Sequence, residues 1–95
     1  MSAEAIFAVR GKVAFITGAA AGLGRAMAEV LADGGAKLWL FDRDAAALQS
    51  TARALQGLGA EVTTIAGDVT DRLAVEAAID TAWQRHARLD ICIAN

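Results

Sequence analysis

The chain has no proline, no tyrosine, one cysteine and one histidine among its 95 residues, and only 5% of it is aromatic. Each shortage excludes something. Cys92 is the lone thiol, so neither an internal disulfide nor a thiolate metal cluster can form, which suits a reducing compartment. His86 alone adds no metal site, and no metal is expected. Lys and Arg number 9 against 11 Asp and Glu, a net charge of −2, and they form no basic cluster. Nucleic acid and anionic membrane surfaces are therefore not expected partners. The opening stretch "MSAEAIFAVRGK" has an acidic residue, no basic leader and no long apolar run. It reads as neither a signal peptide nor a membrane span, and a cytoplasmic protein is the expectation.

What is present is apolar, at 56% against 21% charged, as in an ordered α/β protein. Residues 12 to 18, "KVAFITG", form a short run of strand formers ended by glycine. A helical pattern follows, with Leu23, Ala26, Met27, Val30 and Leu31 on one face, stopped by Asp33, Gly34 and Gly35. "AKLWLFD" at 36 to 42 reads as a second buried strand. A helix from Asp44 through Leu48, Ala52 and Leu55 ends at Gly57 and Gly59, and "EVTTIA" at 61 to 66 supplies a third strand. A third helix begins at Thr70 or Asp71 and carries Val75, Ala78, Ile79, Ala82 and Trp83 at helical spacing; "LDICIAN" closes the chain as a fourth strand.

Alternation of strand and helix implies a parallel sheet, and right-handed crossovers favour the strand order 3-2-1-4. The first two helices then share one face and the third crosses to the other. The chain order reverses between strands 1 and 4, and in such folds ligands bind at that switch point. Trp39 and Trp83 read as core or sheet-covering residues, Cys92 as a packed residue of a buried strand, and His86 as a structural residue closing the third helix, where a cation suits the dipole.

Gly18, Gly22 and Gly24 lie between the end of strand 1 and the start of the first helix, beside the switch point. A helix N-terminus carries roughly half an elementary positive charge and unpaired N–H groups, and glycines let phosphate oxygens reach the backbone. Gly18 would make the turn, Gly22 the close approach and Gly24 the tight helix packing. Asp42 falls at the end of strand 2, where a carboxylate can accept both hydroxyls of a ribose, and Asp68 follows strand 3 on the same sheet edge. Three consecutive strand ends so equipped point to an adenine nucleotide. A methyltransferase shares that logic, but its glycines are spaced more closely after an acidic strand end. A non-catalytic dinucleotide-binding or interaction module is the other alternative.

Thr17-Gly18-x-x-x-Gly22-x-Gly24, Asp42, Asp68-Val69 and the closing "IAN" resemble the N-terminal half of the short-chain dehydrogenase/reductase family. The resemblance covers nearly all of residues 1 to 95 and implies a partial, truncated doubly wound Rossmann domain that ends as strand 4 closes. It implies an NAD(P)-binding part of an oxidoreductase that moves hydride between a nicotinamide cofactor and an alcohol or ketone. The cofactor contacts it implies come from the turn, Thr17 to Gly24 with Ala20, Ala21 and Leu23, from Asp42, Arg43 and Asp68, and from the Val69 N–H and Asn95. Asp68 would meet the adenine amino group, and Asn95 would fix the central strands. Asp42 would repel a 2′-phosphate and position 21 is alanine, so NAD is expected over NADP. Arg43 could stack on adenine, receive a phosphate or simply face solvent. Ala94 stands where the family's strand-4 motif has its first asparagine. The family's Tyr-x-x-x-Lys pair has no counterpart here, so no catalytic residue is expected in this chain and the chain alone is expected to be inactive. A homo-oligomeric parent, dimer or tetramer, is also implied.

Overall fold

A computed structural model describes residues 9–95. The first eight residues of the stretch read for targeting signals lie outside the described residues. Four strands, Val13–Thr17 (β1), Lys37–Asp42 (β2), Val62–Ala66 (β3) and Ile91–Ile93 (β4), alternate with three helices, Gly22–Asp33 (α1), Ala45–Gly57 (α2) and Arg72–His86 (α3). All pairings are parallel and the strand order is β3-β2-β1-β4, as the crossover rule requires.

β1 is buried along its whole length, which is why it reads as an unbroken apolar run rather than an alternation. Its side chains divide between two cores. Ala14 and Ile16, with Leu38 and Leu40 of β2, meet Ala28, Leu31 and Ala32 of α1 and Leu48 and Leu55 of α2. Val13 and Phe15, with Trp39 and Phe41, meet Ala78 and Ala82 of α3 on the opposite face. Asp44 and Asp71 cap α2 and α3, their side chains accepting from the Ala47 and Ala74 amides at 3.0 and 3.2 Å.

Three expectations about faces are corrected. The apolar stripe of α1 is real, but only Leu31 of it is buried; Leu23 is 64% exposed and Val30 39%. The face on the sheet is Gly24, Ala28, Leu31 and Ala32, because the helix comes so close that mostly small residues fit beneath it. The stripe lines an open apolar groove of about 320 Å³ with Ile93.

Trp83 is 55% exposed, not sheet-covering. The rings of Phe15, Trp39 and Phe41 fill this layer, so α3 faces them with alanines and Trp83 is turned away. Cys92 is exposed rather than packed. It lies opposite Phe15 on the α3 side, but α3 packs over β1 and β2 and leaves that part of β4 open. Among the described residues no helix is long and apolar enough to cross a membrane.

Candidate functional site

The carboxyl ends of β1, β2 and β4 converge on one edge of the sheet. Thr17 ends β1 and is buried; its hydroxyl donates to the Ile93 carbonyl (3.4 Å) and accepts from the Asn95 amide (3.1 Å), tying β1 to β4 at the switch point. The Asn95 side-chain amide reaches the Gly18 carbonyl at 3.3 Å.

Gly18 and Gly22 have φ of +64° and +59°, a left-handed conformation that costs a side-chain-bearing residue roughly 1–2 kcal/mol. They turn the chain from the end of β1 into the start of α1. Around Gly22 there is open space, whereas a Cβ on Gly24 would overlap the Gly18 carbonyl and stand 2.8 Å from Asn95 Nδ2. Gly24 is therefore the position that admits the β1 terminus and the β4 terminus against the helix. Ala21 is the N-cap of α1 and supplies no side-chain bond, and the first turn has no acidic residue. The Asp-capped α2 and α3 start differently. The first amides of α1 thus carry their partial positive charge uncompensated by a capping side chain or an acidic first turn, the arrangement that holds an anion.

Asp42 spans the gap between this turn and α2. Its Oδ2 accepts from the Ala20 amide and its Oδ1 from the Asp44 amide, both at 3.0 Å. An ionised carboxylate has about four acceptor positions, so each oxygen retains one for a further donor. Gly18, Asp42, Arg43, Val69 and Asn95 surround a cleft of about 130 Å³. Five residues singled out from the sequence therefore meet in one place. Asp68 stands at the same sheet edge but does not line the cleft. Its Oδ1 accepts from the Thr70 amide (2.9 Å) and hydroxyl (2.8 Å), and those bonds, the amide's first, hold its carboxyl below the usual aspartate range.

Two residues outside the cleft escaped the sequence reading. Thr51, fully buried on α2, donates its hydroxyl to the Ala20 carbonyl at 3.0 Å; its only signal in the sequence is a polar residue at an apolar position, between Leu48 and Leu55. Asp90 lies at the opposite, amino-terminal edge of the sheet, where it precedes β4 and accepts from the Val13 amide at 2.9 Å. His86 closes α3, as a structural residue there should. Its Nε2 accepts from the Trp39 indole N–H at 2.8 Å. Among the described residues no group of three or more His, Cys, Asp or Glu is placed to hold a metal.

A four-stranded parallel sheet with a glycine turn at its switch point defines the Rossmann-like class of α/β folds. A family model described as short chain dehydrogenase matches residues 12–95, and the chain belongs to that family. It is 43% identical over 84 residues to a CLA biosynthesis dehydrogenase/reductase of Lactiplantibacillus plantarum, covering 88% of this chain and 29% of that protein. Among solved structures, it resembles a short chain dehydrogenase/reductase from Burkholderia phymatum in complex with NAD (TM-score 0.85, 42% identity, 88% of this chain and 30% of that one). It also resembles carveol dehydrogenase from Mycobacterium avium in complex with NAD (TM-score 0.85, 36% identity, 92% and 36%). The chain thus spans about a third of the length of these relatives.

Proposed function

We propose that this chain is the nicotinamide-dinucleotide-binding part, residues 1 to 95, of an oxidoreductase that exchanges hydride between the cofactor and an alcohol or ketone. The observation that carries this reading is the α1 N-terminus with no side-chain cap, entered through the left-handed Gly18 and Gly22, with Gly18 lining the cleft beside Asp42. The residues present fit the group. The turn from Thr17 to Gly24 would receive the pyrophosphate on the backbone amides of its exposed part, Ala21, Gly22 and Leu23, with Gly22 leaving room for its oxygens and Ala20 holding the turn from beneath. Asp42 takes the adenosine ribose on its two remaining acceptor positions. Arg43 and the Val69 amide border the adenine side with Asp68, and Asn95 holds the β1 and β4 ends in register.

When bound, the dinucleotide supplies the hydride acceptor or donor. This chain's own residues bind and orient it. The chain holds no tyrosine, so the Tyr-x-x-x-Lys proton transfer that the resemblance implies is not performed by these 95 residues, and the chain by itself binds without turnover. The NAD-bound relatives support a nicotinamide cofactor. Preference for NAD rests on Asp42, because a 2′-phosphate in its place would bring two negative charges together.

Calorimetric titration of the chain with NAD and NADP tests this. NAD is expected to bind more tightly, and Asp42→Ala to narrow the difference. Equal binding of both cofactors by the unsubstituted chain, or an unchanged preference in the variant, would remove Asp42 from the argument; binding of neither would defeat the nucleotide reading.

A further inference from the structure

We propose that Thr51 is a positioning residue for the cofactor turn. It touches no ligand itself, and it acts by fixing the buried Ala20 carbonyl in the Gly18 to Gly22 turn. The inference rests on the nucleotide reading above and deepens it.

Ala20 is only 5% exposed, while Ala21 and Gly22 beside it are exposed. Both backbone polar groups of Ala20 are held by side chains from other elements. Its N–H donates to Asp42 Oδ2 at 3.0 Å, and its C=O accepts from Thr51 Oγ1 at 3.0 Å across 31 residues of sequence. One residue earlier, the Ala19 amide leans on the Phe41 carbonyl at 3.4 Å. The turn is therefore drawn down onto β2 and α2 rather than left to its glycines, which by themselves permit many conformations.

The geometry has a directional consequence. No peptide among the described residues is cis, and a trans peptide points its C=O and N–H oppositely. Turning the Ala20 carbonyl under α2 to meet Thr51 turns the Ala21 N–H the other way, off the buried side of the turn. Ala21 is the N-cap, and the amides that follow it open α1. Thr51 thus sets the direction in which the chain enters the helix whose first amides would meet the pyrophosphate. Thr51 is wholly buried on the apolar face of α2, where valine or leucine would pack as well. A hydroxyl there has a reason to exist only in what it bonds, since a buried carbonyl without a donor is costly.

The test uses the 95-residue chain with Thr51→Val, Thr51→Ser and, as a stability control, Leu55→Ala, which opens a cavity on the same buried face of α2. Thr51→Val is expected to weaken binding of NAD and of NADP by the same factor, about tenfold, leaving their ratio unchanged. Thr51→Ser keeps the hydroxyl and is expected to bind within about threefold of the unsubstituted chain. Leu55→Ala is expected to lower the thermal midpoint and leave the dissociation constant alone at a temperature where it is folded. Without cofactor, amide exchange at Ala21 and Gly22 is expected to quicken in Thr51→Val and not in Leu55→Ala. If Thr51→Val does not fold, Thr51→Ala is measured in its place. Unchanged affinity and unchanged exchange in the valine variant would overturn the proposal, as would an equal loss of affinity in Leu55→Ala. Faster exchange in a chain that binds neither nucleotide would uphold the turn-setting role of Thr51 and sink the cofactor reading instead.

Discussion

The buried indole of Trp39 donates its N–H to Nε2 of His86 at 2.8 Å, and the two rings meet edge to face with centroids 5.8 Å apart. One residue lies in the middle of β2 and the other in the last turn of α3, 47 positions later. This bond docks the end of α3 on the sheet, where the rest of the helix offers mainly alanines. His86→Ala leaves the indole donor buried without a partner, and the expected loss is about 1–3 kcal/mol by urea titration. Trp83→Phe, at an exposed position on the same helix, is expected to change stability by less than about 0.5 kcal/mol. Equal effects from the two would deny the bond its role.

Gly24 and Gly22 separate two reasons for glycine. At Gly24 a Cβ overlaps the Gly18 carbonyl, so Gly24→Ala must push α1 off the strand ends, at a cost of about 3 kcal/mol or more. At Gly22 the space is open and only the left-handed backbone resists, so Gly22→Ala is expected to cost about 1–2 kcal/mol. Thermal midpoints of both variants, read side by side, check the order.

The face that α1 buries is open to a direct test. Ala28 is fully buried against the sheet, and enlarging it in Ala28→Leu is expected to cost about 1–3 kcal/mol through overpacking. Leu23 is 64% exposed, and Leu23→Ala is expected to lie within about 0.5 kcal/mol of the unsubstituted chain. The reverse order in chemical denaturation would restore the face that periodicity suggested.

Asp90 gives the fold an acid-sensitive tie. Arg88 binds its carboxylate at 2.8 and 2.9 Å, and the Val13 amide adds a third bond. These partners, Arg88 first, lower its pKa to about 2. A depressed carboxyl contributes stability that is fully present above its unfolded value of about 3.9 and is lost as pH falls through the folded value. The contribution therefore fades between pH ~4 and about 2. Asp90→Asn is expected to flatten the denaturation midpoint across that window while leaving its dependence near neutrality unchanged. An undiminished acid dependence in the variant would assign it to other carboxylates.

The alternation of four strands and three helices, the strand order and the glycine turn were legible because each is written locally. Apolar runs such as "VAFIT" and "LWLF" announce buried strands, Asp44 and the pair Thr70 and Asp71 announce helix starts, and right-handed crossover leaves little choice of winding. Asp42 was legible for the same reason, as an acidic residue at the end of a strand. Only the tertiary structure decided which face of α1 is buried, since periodicity shows that an apolar stripe exists but not how near the helix approaches. Gly24 and Ala28 bring α1 so close that the stripe from Leu23 to Val30 is left outside. The partners of Thr51, His86 and Asp90 lie 31, 47 and 77 positions away in the chain. A hydrogen bond needs two groups within about 3 Å at a set angle, and no local pattern records which distant group folding brings there.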